Sequence, residues 1–332
     1  MRDAVIVEHK TSGEDIGLGS TYWRRLTLDS QISNYIIGAQ ALGYAPRGVL
    51  YDVARKPALR PYQATPEGAR KYKKDGTLYA AQREHDETPE EYYERVLADI
   101  AEKPDVYFQR GTVVRLADEV AAAAEDAWTL AKWIREVQLE ADGRGEAAWP
   151  RNVDACYTYG RACDYWDVCS GTASIGDDTR YETTDAHTEL SASSGDDGKR
   201  RLPMVSTSSL KTFRSCPRRY YYRYEMRRRP PARSAALRFG TAWHAGLEVW
   251  WATRDLDRAL EAMESHDDAS PDPYDIARAR ALMVGYDARW SGEPHTVLAV
   301  EAEFRAPLVN PRTGQASRTW ELGGKIDAVI AA

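Results

Sequence analysis

The apolar residues of this chain change period several times, and each change marks an element. DAVIVEHKT begins as a β-branched apolar run and ends on charge, the pattern of a buried strand. A Gly-rich loop, SGEDIGLGS, follows it. LDSQISNYIIGAQALG then predicts a helix over 28–43, with Asp29 or Ser30 near its cap and Gly43 at its end. RGVLYDVARK reads as another strand. Residues 62–90 are polar and punctuated by Gly and Pro, which predicts a peripheral excursion. TPEEYYERVLADIAEK carries a capping signature, Thr88 with Glu91, ahead of a helix. VYFQRGTVVRL predicts a strand, and LADEVAAAAEDAWTLAKWIREVQLEA a long Ala-rich amphipathic helix.

The pattern breaks at 170–203, a Ser/Thr/Gly/Asp-rich stretch that predicts a linker or disordered span. STSSLKTFRSCPRRYYYRYE restores helical periodicity from a Ser or Thr start. FGTAWHAGLEVWWATR, RDLDRALEAMESH and DPYDIARARALMVGYDARW predict further helices. HTVLAVEAEFRAPL and RTWELGGKIDAVIAA read as two strands around an NPRTG turn.

Composition changes the picture in two places. Hydrophobic residues at 43%, with 20 Tyr and 10 Trp in 332 residues, allow a sizeable core in one elaborated domain or two compact units. The net charge of −6 excludes a generally basic coat for nucleic acid but not a local groove. Between Lys211 and Arg238 stand ten Lys/Arg and a single acid, Glu225, interleaved with Phe213, Tyr220, Tyr221, Tyr222 and Tyr224. Such a run suits a phosphate backbone with stacked bases, Lys211, Arg214, Arg218, Arg219 and Arg223 being the candidate contacts. A solvated helix face with core tyrosines is the competing reading.

The chain has four cysteines: Cys156, Cys163 and Cys169 stand together, and Cys216 stands apart. No apolar signal segment opens the chain and no stretch is long enough to span a membrane, so a reducing, cytoplasmic setting is expected over disulfides. Zinc sites usually use close C-x2-4-C pairs, which are missing here. Wide, uneven spacing fits an iron–sulfur cluster better, with zinc and unligated thiols as alternatives.

Two weak motifs gain weight together. Glu8-His9-Lys10 ends one buried strand, and Gly324-Lys325-Ile326-Asp327 lies in another. Pairing of these strands around a short turn would bring Asp327, Glu8 and Lys10 within reach of one metal ion.

Read in cyclically shifted order, these features resemble the PD-(D/E)xK nuclease superfamily, specifically RecB-like exonucleases with an iron–sulfur cluster. That group includes AddB-type nuclease domains, CRISPR-associated spacer-acquisition nucleases and phage homologues. The lone cysteine of STSSLKTFRSCPRRYYYRYE comes first in that order. GTAWHAGLE, a strand acid, G-x-I-D, E-x-K, a Gln/Tyr helix and three clustered cysteines follow. The resemblance covers nearly everything except 170–203 and parts of 62–100.

The resemblance implies an α/β fold, a restriction-endonuclease-like mixed sheet flanked by helices, with an iron–sulfur helical subdomain and a circularly permuted order. His244, Asp327, Glu8 and the His9 carbonyl would bind Mg2+ or Mn2+. Glu303 would be the strand acid, with Glu301 as its competitor. Lys10 would orient and polarise the attacking water, and Gln31 and Tyr35 would border the site. Cys156, Cys163, Cys169 and Cys216 would hold a 4Fe-4S cluster. The implied activity is metal-dependent hydrolysis of DNA, as an exonuclease on single strands or duplex ends. Recombination or CRISPR-adaptation proteins are the implied partners, with no membrane. A non-catalytic DNA-binding or complex-assembly module with a four-cysteine metal site is the alternative.

The expected organisation places the second half of the nuclease core at 1–60 and a helical elaboration at 61–150. The three-cysteine segment is 151–170, a flexible linker 171–203, the fourth-cysteine basic helix 204–240 and the first half of the core 241–332. The shifted order admits permutation, fusion of two pieces, or a truncated tandem. Permutation is favoured because no motif is duplicated, and Met204 is a candidate original start.

Overall fold

The computed structural model describes every residue except 159, 189, 191–200, 232–233 and 268–269. Its centre is a six-stranded mixed sheet built from both ends of the chain. The strands are β1 (Arg2–Ser12), β2 (Tyr44–Arg55), β3 (Phe108–Val113), β4 (Met204–Ser206), β5 (Val297–Val309) and β6 (Ala316–Ala331). Their spatial order is β3-β2-β1-β6-β4, with β5 on the other side of β6. β1–β2 and β4–β6 are parallel; β2–β3, β1–β6 and β5–β6 are antiparallel. The expected neighbours on β2, β1, β6 and β5 thus lie side by side.

The ladder from Ala4–Ala331 to Val7–Ala328 joins the first strand to the last. All of these residues are apolar and buried apart from Val5 and Ala331 at the margin. Alternation along β1 explains why both faces are covered: Ala4 and Ile6 enter one core, Val7 the other.

Helices cover both faces. On the first lie α1 (Ser30–Ala41), α3 (Ala117–Arg144) and α4 (Thr207–Ser215); on the second α2 (Pro89–Glu102), α5 (Ala235–Thr253), α6 (Leu256–Glu264) and α7 (Pro273–Trp290). Asp29 caps α1 by accepting from Gln31 N at 2.9 Å, and Thr88 with Glu91 forms the expected box on α2. Glycine lets α1 sit close to the sheet. A Cβ at Gly38 would stand 2.5 Å from the Phe304 ring, and one at Gly324 2.8 Å from the same ring. Phe304 therefore fills a slot that only glycines leave open, which fixes the height of α1 over β5 and β6.

Three expectations change. The helix expected through Cys216 breaks there: α4 ends at Ser215 and Cys216 is extended (φ −160°, ψ 110°). Pro217 is the reason, because its ring disfavours helical backbone in the residue before it. Secondly, Met204–Ser206 is a strand of the central sheet instead of part of a separate basic helix. Thirdly, much of the expected linker is packed. Tyr181 is buried against Tyr165 at 5.7 Å, and Glu182–Thr183 pairs with Arg228–Arg229. Residues 191–200 of that expectation lie outside the described ones. Among the described residues no helix is long and apolar enough to cross a membrane.

Candidate metal centre

Strand register brings the acids together. Val7–Ala328 is the last pair of the β1–β6 ladder, and the next residues along are Glu8 and Asp327. On the far side of β6, Asp327 lies between the pairs Ile326–Ala302 and Ala328–Val300, opposite Glu301. Glu301, Asp327 and Glu8 thus form a line across three strands. His244 reaches in from α5, its Nδ1 3.8 Å from Asp327 Oδ1. Ligand atoms of His244, Glu301 and Asp327 lie within 4.8 Å of one another. Glu301 has φ +49°, rare for a residue with a side chain, and this local distortion of β5 belongs to the site.

Of the two candidate strand acids, Glu301 is the one that lies with His244 and Asp327. Glu303 pairs in register with Lys325, one step short of the line. Sequence alternation alone cannot choose between two glutamates separated by two residues, since both point to the same side of a regular strand.

Each acid is held differently. His9 N–H donates to Asp327 Oδ2 at 2.7 Å. Burial works against the Asp327 charge, but His244, His9 and Lys10 keep its carboxyl below the usual range. Glu8 is 1% exposed, and burial with the Asp327 charge pushes its carboxyl up to about 8 despite an ion pair with Lys10. Glu8 Oε2 has no hydrogen-bond partner. Burial, reinforced by Asp327, lifts Glu301 to about 7 although Lys325 pairs with it. Burial lowers His244 to about 4, leaving a neutral imidazole. Burial also opposes charge on Lys10, but Glu8, Tyr35 and Asp327 hold the ammonium above its ordinary value. A buried orphan carboxylate oxygen, two further carboxylates and a neutral imidazole suit a hard divalent cation such as Mg2+ or Mn2+.

Tyr35 lies within the electrostatic reach of Glu8 and Asp327, and Gln31 is bonded to it. Gln31 Nε2 donates to Tyr35 Oη at 2.8 Å, and burial plus the charges of Glu8 and Asp327 keep the phenol protonated. Lys325, on the outer side of Asp327, went unread in the sequence; its only signal was its place two residues before the aspartate.

Beside the site runs a second line. β1–β2 register pairs His9 with Asp52, and β2–β3 register pairs Asp52 with Arg110. His9 Nδ1 is 3.2 Å from Asp52 Oδ2, and Arg110 Nη2 is 3.1 Å from the same oxygen. Burial would raise Asp52, but Arg110 and His9 hold it down at about 2. The RGVLYDV stretch gave no hint of this role.

The basic segment is placed otherwise than expected. Phe213, Tyr220, Tyr222 and Tyr224 are buried core residues, so their rings are not stacking platforms. Lys211 Nζ bonds Asp29 Oδ1 at 2.8 Å. Arg218 pairs with Glu146 and donates to the Trp149 carbonyl at 2.8 Å. Arg219 is 3.6 Å from Asp164, and the Arg223 guanidinium lies 5.6 Å from the Tyr224 ring centre. Tyrosines at alternate positions of a distorted turn point inward, which composition cannot reveal.

The four cysteines line one small cavity with Trp166 and Arg219. Cys216 Sγ accepts from Asn152 N at 3.5 Å.

A family model of the PD-(D/E)XK nuclease superfamily matches residues 204–332. No curated protein and no solved structure gives a match. The matched segment carries His244, Glu301 and Asp327; Glu8 and Lys10 lie outside it, on the strand paired with that of Asp327. Nucleases of this superfamily bind divalent metals, in keeping with the donor set assembled here.

Proposed function

We propose that the chain is a metal-dependent deoxyribonuclease that hydrolyses phosphodiester bonds, acting as an exonuclease on single-stranded DNA or duplex ends. The line Glu301–Asp327–Glu8, flanked by His244 and Lys10, is the observation that carries this reading. Asp327, Glu8, Glu301 and His244, with the His9 carbonyl, would hold Mg2+ or Mn2+, which when bound polarises the phosphate and acidifies water. Lys10 brings a fixed positive charge to the site, where it orients the nucleophile and offsets charge developing on phosphoryl oxygen. Tyr35, a neutral phenol held by Gln31, is positioned to donate to a phosphate oxygen. The preference for DNA ends rests on the resemblance to RecB-like exonucleases.

A 4Fe-4S cluster on Cys156, Cys163, Cys169 and Cys216 belongs to the same reading, as a staple between distant segments and not a redox cofactor. Its support is the shared cavity. A circular shift of motif order is likewise proposed: the family match lies at 204–332, Glu8 falls outside it, and Ala4 pairs with Ala331.

The test uses end-labelled single-stranded, duplex and closed circular DNA with Mn2+ or Mg2+. Metal-dependent loss of linear DNA, sparing circles and abolished by Glu8→Ala, is expected. Cleavage of circles would remove the exonuclease reading. Binding of DNA with no cleavage under any metal would leave a DNA-binding module instead.

A further inference from the structure

We propose that Asp52 is a positioning residue for the metal centre: through His9 it fixes the backbone N–H that holds the Asp327 carboxylate. The proposal rests on the nuclease reading above and adds to it the device that keeps the central ligand aimed.

The argument begins with the two faces of β1. Glu8 and Lys10 share one face of β1, so His9 between them points to the other, under α5, where its ring stands 6.4 Å from that of His244. Its peptide is nevertheless part of the site, because His9 N–H donates to Asp327 Oδ2 at 2.7 Å. Any rotation of that peptide would turn the donor away from Asp327 and tilt the Glu8 side chain with it. The His9 ring resists such rotation. It packs on Trp251 with centroids 5.4 Å apart, and its Nδ1 is 3.2 Å from Asp52 Oδ2.

Asp52 is itself anchored on three sides. Arg110 Nη2 lies 3.1 Å from Oδ2, Tyr286 Oη donates to the same oxygen, and His9 supplies the third contact. Tyr286 in turn accepts from Trp251 Nε1 at 3.1 Å, which closes the network back onto the residue beneath His9. Arg110 is locked by Glu293 at 2.6 Å and by the Trp290 ring at 3.9 Å. The helix α5 links the two lines: Trp251 belongs to the anchor, and His244, seven residues or about two turns earlier, meets Asp327. A buried anchor built on the Asp52–Arg110 ion pair costs desolvation that apolar packing would avoid, so its presence directly behind a ligand calls for a positional role.

The test is calorimetric titration of Mn2+ into the full chain without DNA, read beside Tm. Asp52→Asn keeps the volume but weakens the hold on His9, and should raise the Kd for Mn2+ at least about tenfold, as loss of outer-shell partners does. His9→Phe keeps the ring on Trp251, loses Nδ1, and should give the same rise. Leu282→Ala, in the same core but with no polar group to lend to either line, should lower Tm and leave Kd unchanged. Wild-type Kd in both folded variants would overturn the proposal, and if Asp52→Asn does not fold, His9→Phe decides alone. Should the wild-type chain bind Mn2+ and cleave DNA while the variants match it, only the positioning role falls. Absence of Mn2+ binding by the wild-type chain removes the nuclease reading itself.

Discussion

The amide of His9 donates to the carboxylate of Asp327 at 2.7 Å across 318 positions of sequence. It takes the place of the next ladder bond after Val7–Ala328, so the strand pairing ends where the acids begin. One consequence concerns Asp327 itself. Asp327→Asn retains an oxygen that can accept from His9 and should keep Tm near the wild-type value. Cleavage and Mn2+ binding should fall by more than about a hundredfold, because loss even of outer-shell partners costs about 10–100-fold. A variant that cleaves at wild-type rate would remove Asp327 from the metal set.

Glu301 and Glu303 separate by the same assay. Glu301→Gln should abolish metal-dependent cleavage, while Glu303→Gln, outside the line, should keep most of it. The reverse result in paired kinetics would restore the strand acid to Glu303.

Stability should depend on pH in a way that metal reverses. Glu8 rises from 4.5 to about 8 and Glu301 from 4.5 to about 7, so without metal the folded chain binds protons that the unfolded chain has lost. Stability from these groups is full below pH 4.5 and is lost as pH rises through 7 to 8, each contributing a slope of up to about 1.4 kcal/mol per unit. Chemical denaturation between pH 5 and 8 should therefore show falling stability with EDTA and a flatter curve with Mn2+. A rise with EDTA over that window would contradict the assigned environments.

For the cysteines, Cys216→Ser should remove visible absorbance and iron from anaerobically purified protein and lower the melting temperature, since bound metal contributes folding free energy. Full iron content with unchanged melting would reject the four-thiol cluster.

Arg218 should behave as a structural residue. Its bonds to Glu146 and the Trp149 carbonyl are internal, so Arg218→Ala should destabilise by about 1–3 kcal/mol and leave the salt dependence of DNA binding nearly unaltered. A drop in the slope of log affinity against log salt by about 0.7–0.9, with Tm unchanged, would instead make it a phosphate contact.

What the sequence determined by itself was local and periodic. The apolar runs of β1 and β6, the capping box at Thr88 and the amphipathic helices were legible because burial imposes a period of 2 or 3.6 on any chain. The pairing of the Asp327 and Glu8 strands was legible because two apolar runs with acids at matching ends admit few other arrangements. Tertiary structure decided the rest. Glu301 takes the place beside Asp327 through the β5–β6 register, with its own backbone at positive φ, and no hydrophobic period encodes either. Asp52 meets His9 through parallel register, and one residue of slip would have turned it to the other face. Tyr220, Tyr222 and Tyr224 are core because Pro217 breaks the helix and the turn beyond it carries them inward, so the same composition that resembles a nucleic-acid surface serves largely as packing. Register and long-range pairing depend on which strands meet across hundreds of residues, and that choice is made only when the whole core closes.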